Sequence, residues 1–279
     1  MTELAVRFPA ESFLSQAEFD NAGRDAQPRS DARFAHERMI VQGLADPAPA
    51  ALVRPGTCAP CLRTARFSTP IDRTPNGAPD VNWREGQFCD CADRLGNRAR
   101  AVLHFLEAEA GLAPWSRIAS FGPPGLIDRK LAASRDQSGS FTRLGRLVRA
   151  RPGESSSQGW RLDAPDAAFH IAVSWDHLTY VPPLDEALAQ LRRVLLPGGQ
   201  FVFTLPLRYR AAGTISRLSH VPRQGGWLPA EFRGEIHEIG WDILDRLRAA
   251  GFSRAMVHQY WSDELGYLGP FNLLLSASV

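Results

Sequence analysis

All four cysteines of this 279-residue chain fall within one stretch, as Cys58-x2-Cys61 and Cys89-x-Cys91. Nothing else restricts the fold as strongly, because two close thiol pairs that share one ion must be brought together by the chain between them. Met1 to Gln16 lacks the charged-then-apolar order of a signal peptide, and no apolar run reaches the ~18 residues of a membrane span. The expected compartment is therefore the cytosol, whose reducing conditions favour thiolates over disulfides. The spacing predicts a structural zinc site formed by Cys58, Cys61, Cys89 and Cys91, since four thiolates leave no open position for a catalytic water. The second pair is one residue shorter than the usual knuckle spacing, which brings in Asp93 as a substitute oxygen ligand. The plainer alternative is a set of buried free thiols.

Apolar periodicity then divides the chain into three parts. Residues 1–50 read as a helical extension, with a short amphipathic helix over Ala32 to Val41. Residues 51–100 form the cysteine-rich module, and residues 101–279 a larger domain. From Arg98 the pattern is helical until Gly111 and Pro114. Strands are expected at Arg117 to Phe121, Ser140 to Leu147, Phe169 to Ser174, Gln200 to Leu205, Ala255 to Trp261 and Phe271 to Ser278. Helices are expected through Ala133, over Leu184 to Leu196 with Pro197-Gly198-Gly199 as its stop, and over Trp241 to Ala250 closed by Gly251. Alternating strands and helices predict an α/β domain with an open, mainly parallel sheet and helices on both faces. Ligands bind such sheets at the carboxyl ends of the strands.

Charge narrows the partners. With 32 basic and 30 acidic residues the net charge is only +2, so the chain lacks the single-sign field that nucleic acid or an anionic membrane requires. A small-molecule partner is expected, with a homodimer or a pathway enzyme as possible protein partners. No nucleophile-elbow, phosphate-loop or metalloprotease pattern competes.

The run Leu191-Arg192-Arg193-Val194-Leu195-Leu196-Pro197-Gly198-Gly199-Gln200-Phe201-Val202-Phe203-Thr204 resembles class I S-adenosylmethionine-dependent methyltransferases, in which a helix ending in this way precedes the fifth strand. Gly240 to Phe252 and Tyr267-Leu268-Gly269-Pro270 resemble the last third of a bacterial subfamily that carries a cysteine module in front. Asn82-Trp83-Arg84-Glu85, Cys89, Cys91 and Asn97-Arg98-Ala99-Arg100-Ala101 resemble that subfamily's front end. The resemblance implies a Rossmann-like seven-stranded sheet behind a small zinc-ribbon-like module, and S-adenosylmethionine as cofactor.

It also implies where the cofactor lies: on a glycine-rich turn after the first strand, with an acid at the end of the second strand on the ribose hydroxyls. Here the turn is Phe121-Gly122-Pro123-Pro124-Gly125, and the second-strand segment Ser140 to Leu147 has no carboxylate. His170 stands where the family places Asp, Leu178-Thr179-Tyr180 where it places Leu-Glu-His, and Glu154 to Gly159 where a short acidic turn is expected. Phe121, Gly122, Gly125, Asp163 and Trp175 are the candidate cofactor contacts, with Asp166 beside them.

The candidate catalytic residues are Asp176, His237, His258 and Tyr260. Asp176 follows the fourth strand, where its carboxylate can orient an acceptor or take its proton; a helix N-cap is the plainer role. His237 ends a connection, Pro206 to Ile236, long enough to suggest an acceptor lid. His258 and Tyr260 share a strand face, either as base and partner or as ordinary sheet residues. Two readings of function follow. One is methyl transfer to a metabolite or sugar. The other is a methyltransferase-shaped protein without S-adenosylmethionine, catalysing a non-methyl reaction or partnering an enzyme, with Trp175, Tyr180, Trp227, Tyr260 and Trp261 available to line an apolar pocket.

Overall fold

The computed structural model describes residues 6–25, 27–44, 49–122, 126–134, 139–144, 148–149, 160–181, 183–222, 231–269 and 272–279. In chain order these form β1 (Ala10–Phe13), α1 (Gln16–Asp25), α2 (Gln27–Gln42), β2 (Ala51–Cys58), β3 (Arg63–Arg73), β4 (Pro79–Val81), β5 (Phe88–Cys89) and α3 (Asn97–Ala108). There follow β6 (Arg117–Phe121), α4 (Leu126–Ala133), β7 (Ser140–Leu144), β8 (Val148–Arg149), β9 (Trp160–Arg161), β10 (Phe169–Trp175), α5 (Leu184–Val194) and β11 (Leu195–Thr204). The chain ends with β12 (Ile215–Pro222), β13 (Glu231–Glu238), α6 (Ile243–Ala249), β14 (Arg254–Tyr260) and β15 (Leu273–Ser278).

The chain divides into two compact units. The first comprises residues 1–12, 17–111 and 258–272, and the second residues 13–16, 112–257 and 273–279. In the first unit β2 and β3 form an antiparallel hairpin that pairs Cys58 with Arg63 at its closed end. The other side of β3 pairs with β5, in register from Phe67 to Cys89, and with β4. A small core of Val81, Trp83 and Leu268 takes Ile40, Val41, Leu52, Ile71 and Trp261 against it. These strands lie in a module whose sequence signal had been its thiols alone.

A seven-stranded sheet runs in the order β1-β14-β15-β11-β10-β6-β7. The β7, β6, β10 and β11 strands are mutually parallel, while β15 lies antiparallel to β11. The central strands are apolar on both faces: Ile118, Ala119, Ile171, Ala172, Val173, Phe201, Val202 and Phe203 are all 2% exposed or less. That is the pattern of a parallel sheet covered on both sides. Apolar residues at helical spacing on α5 (Leu184, Ala187, Leu188, Leu191 and Val194) supply part of that cover.

One expectation needs correction. The helix before the glycine pair ends at Val194, and β11 already begins at Leu195. Pro197-Gly198-Gly199 therefore makes a bulge inside a strand rather than a helix stop: β10 advances from Phe169 to Ile171 while β11 advances from Leu195 to Gln200. Gly198 takes φ +74°, and a Cβ on Gly199 would stand 2.8 Å from the Leu196 carbonyl, so the bulge requires both glycines. The connection Pro206 to Ile236, read as an acceptor lid, has strands of its own. It contains β12 and most of β13, paired from Ile215–Glu238 to Pro222–Glu231.

Candidate functional site

Two places concentrate chemistry, one in each unit. In the first unit β2 delivers Cys58, and a 3-10 turn from Ala59 to Cys61, started by Pro60, delivers Cys61. Leu62 closes that turn in the left-handed region at φ 50°, its N–H on the Ala59 carbonyl. Opposite, Cys89 ends β5 with its N–H on the Leu95 carbonyl, and the Cys91 carbonyl accepts from the Arg94 N–H. The short Cys-x-Cys spacing is thus accommodated by one thiol at a strand end and one in the following turn.

The four Sγ atoms lie within 4.8 Å of one another. Zinc–sulfur bonds of about 2.3 Å give a tetrahedron with edges of about 3.8 Å, so a small inward movement completes a metal site. Asp93 is not part of this group; the described residues cluster by sulfur alone. Arg63 donates from Nε to Cys91 Sγ at 3.3 Å and bridges to Asp90 at 3.1 Å. Cys58 donates toward Cys89, which holds the Cys89 thiol down to about 5 and drives Cys58 far above the usual thiol range, with burial adding to the rise. Cys61 is pushed up to about 11, first by burial and then by its bond with Cys91. A cation entering the cluster must displace these protons.

In the second unit the carboxyl ends of β6, β10 and β11 meet. Gly122 leaves β6 at φ +137°, and a Cβ there would touch His177 Cβ at 3.1 Å. The His177 ring stands edge-on to Phe121, 4.9 Å between centroids. Asp176 leaves β10 at φ 49°, its N–H on the Thr204 carbonyl at 2.9 Å and its Oδ1 accepting from the Thr204 hydroxyl at 3.0 Å. It begins the 3-10 turn His177–Tyr180 without a side-chain capping bond. On the same strand end and in the turn after it, Ser174 Oγ, Trp175 Nε1 and Thr179 Oγ1 are buried atoms with no hydrogen-bond partner among the described residues. Buried polar atoms without partners are costly and rare, so the end of β10 and the turn after it carry three groups whose bonding the described residues leave unsatisfied.

The other candidates fall differently. His237, 2% exposed, presents Nε2 to the Val181 carbonyl and Nδ1 to the Ser216 hydroxyl at 2.8 Å. The carbonyl can only accept, so Nε2 carries the proton and Nδ1 receives the Ser216 proton. Both nitrogens join β12 and β13 to the residue after the rim turn. His258 and Tyr260 belong to the first unit. His258 Nδ1 meets Ser12 Oγ at 2.7 Å, its ring 4.7 Å from Phe105. Tyr260 is 2% exposed between Phe8 and Tyr267, and burial raises its phenol above the usual range. Asp163 is exposed, and Asp166 pairs with Arg193 at 2.5 Å.

Gly125, Trp227 and the Glu154 to Gly159 turn lie outside the described residues. His170 sits near the amino end of β10, taking the Arg117 N–H on Nδ1 at 2.9 Å, and its pKa is lowered by burial. It is therefore at the opposite end of the strands from the ligand rim. Trp261 Nε1 donates to the buried Glu37 at 3.1 Å. Sequence reading missed Ser174, Thr179 and Thr204, whose only signal was a polar side chain ending an otherwise apolar strand or beginning the next turn.

For S-adenosylmethionine the described residues offer Gly122 at positive φ and the polar end of β10. They offer no ribose-binding acid, since β7 ends at the buried Leu144 after Ser140, Phe141, Thr142 and Arg143.

No family model matches the chain, and no curated protein matches it. Solved structures similar to it include an S-adenosylmethionine-dependent methyltransferase from Mesorhizobium loti, 19% identical over 61% of this chain and 94% of that one, with a TM-score of 0.39. A putative methyltransferase from Listeria monocytogenes is 14% identical over 65% and 98%, with a TM-score of 0.40. The cyclase SpnF is 20% identical over 55% and 57%, with a TM-score of 0.36. Independently of these likenesses, four parallel strands in the order β7-β6-β10-β11, followed by the antiparallel β15, give the second unit an open, mainly parallel Rossmann-like α/β sheet.

Proposed function

We propose that the chain is a methyltransferase whose second unit binds S-adenosylmethionine and a small-molecule acceptor, a metabolite or sugar, at the carboxyl end of β10. The observation that carries this reading is the set of partnerless buried atoms, Ser174 Oγ, Trp175 Nε1 and Thr179 Oγ1, on the strand end and turn that also carry Asp176. Bound there, the sulfonium supplies the methyl group. The chain's own part is to orient and deprotonate: Asp176, fixed by Thr204 on both backbone and side chain, accepts a hydrogen bond from the acceptor's hydroxyl or amine and takes its proton. His237 is committed to Val181 and Ser216, so it positions β13 rather than serving as a base.

In the first unit, we infer, Cys58, Cys61, Cys89 and Cys91 hold one structural zinc ion. Closed coordination by four thiolates gives it a folding role and no catalytic one. A cytosolic location and a pathway-enzyme or homodimer partner are consistent with this reading; among the described residues no helix is long and apolar enough to cross a membrane.

One observation favours a second reading, in which the fold no longer takes S-adenosylmethionine: β7 ends without a carboxylate. Calorimetric titration of metal-analysed protein with S-adenosylmethionine and S-adenosylhomocysteine separates the two. Micromolar binding supports methyl transfer, and no heat at millimolar ligand supports the alternative.

A further inference from the structure

Arg100 is fully buried, yet among the described residues it has no carboxylate partner. Its Nη1 donates to the Leu265 carbonyl at 2.6 Å, and its Nη2 to Gly266 at 2.6 Å and Gln87 at 3.2 Å. The guanidinium lies 4.1 Å from the Phe67 ring centre and 5.1 Å from that of Tyr267. Carbonyl dipoles and ring faces offset part of the cost of burying a cation, and a nearby negative charge is the usual remainder. The thiolate cluster is the candidate: four thiolates around a divalent ion leave a net charge of about −2, the largest local charge in such a site. Phe67 is in register with Cys89, and α3, which carries Arg100, packs on the turn that carries Cys61. Arg63 already donates to Cys91.

Two of the three carbonyls that Arg100 holds, those of Leu265 and Gly266, belong to a strap, Ser262 to Leu268, that is tied to the same cluster. The Glu264 carbonyl accepts from Thr57, the residue before Cys58, at 2.8 Å. Gly266 takes φ +61°, and a Cβ on it would lie 2.5 Å from the Phe67 ring. On the reading of the four thiols as a zinc centre, we infer that Arg63 and Arg100 are its two balancing cations, and that Arg100 relays zinc occupancy to the strap.

The test is hydrogen exchange on the full chain, zinc-loaded and after chelation, together with zinc affinity measured against a chromophoric chelator. Chelation is expected to speed exchange in peptides covering residues 262–268 by at least about tenfold while β11 keeps its protection. Arg63→Gln and Arg100→Met are each expected to weaken zinc by about ten- to a hundredfold, as outer-shell partners of metal sites do. Arg100→Lys, which keeps the charge and loses the forked donors, is expected to retain most of the zinc affinity and to loosen the strap even when loaded. If Arg100→Met fails to fold, Arg63→Gln and Arg100→Lys carry the test. Zinc bound with strap exchange unchanged by chelation overturns this inference alone, as does wild-type zinc affinity in Arg63→Gln. A purified chain without metal that takes up none overturns the zinc reading as well, and metal analysis reports that separately.

Discussion

Replacing Asp176 separates what the fold needs at the end of β10 from what a ligand needs. The residue sits at φ 49° and accepts the Thr204 hydroxyl on Oδ1 at 3.0 Å. A hydrogen bond to a charged acceptor contributes about 1.5–3 kcal/mol when buried, and about half of that at this half-buried position. The left-handed conformation costs most L-residues roughly 1–2 kcal/mol, less for Asn and Asp, and essentially nothing for Gly.

Asp176→Ala loses both terms and is expected to cost about 2–3 kcal/mol. Asp176→Gly loses only the bond, so it should be more stable than the Ala variant by about 1 kcal/mol. Asp176→Asn keeps an accepting Oδ1 and tolerates the backbone, so its cost should stay below about 1 kcal/mol. For a unit of this size each kcal/mol shifts Tm by about 2–4 °C, which places Ala roughly 5–10 °C below wild type and Asn within a few degrees. Urea denaturation and melting measure this series, and transfer assays with the same proteins measure function. Equal stability of the Ala and Asn variants refutes the structural reasoning, and wild-type turnover by Asp176→Asn removes the carboxylate from the chemistry.

Other expectations are simpler. Leu191→Ala opens a fully buried position on α5 and should cost about 2–5 kcal/mol in denaturant unfolding. Gly122→Ala places a Cβ at φ +137° against His177, for a loss of about 1–3 kcal/mol by melting and weakened ligand binding by calorimetry. Burial lowers the pKa of His104 and of His170, so each favours its deprotonated form in the folded state. That stability is fully present above the unfolded value of about 6.5 and is lost as pH falls below it toward the folded values. Melts from pH 7.5 to 5 should decline, with a shallower slope in His104→Gln.

The parts of the sheet legible in the sequence were those governed by local pattern. The apolar runs Arg117–Phe121, Phe169–Trp175 and Gln200–Thr204 and the α5 stripe emerge where expected, because burial on both faces leaves little freedom of composition. The thiol cluster was legible for a similar reason, since two short spacings admit few geometries. What escaped depended on distant partners. Pro197-Gly198-Gly199 looks the same as a helix stop or as a strand bulge until β10 supplies the register. The β12–β13 pairing lacked a clear alternating pattern. His237 carried the residue type of a base, and only Val181 and Ser216, far off in sequence, commit both its nitrogens. Arg100 was legible only as one residue of the run Asn97-Arg98-Ala99-Arg100-Ala101, because two of its three acceptors lie more than a hundred and sixty positions downstream.

The split of the first unit into pieces from opposite parts of the chain has a consequence for synthesis. Residues 258–272 close a structure begun before residue 111, so the ribosome must add more than 160 residues after Arg100 before that side chain can reach the carbonyls of Leu265 and Gly266. During that interval the thiols have the β2–β3 hairpin and β5 but not the strap. Removing residues 258–279 would therefore damage the cysteine module as surely as it removes β15.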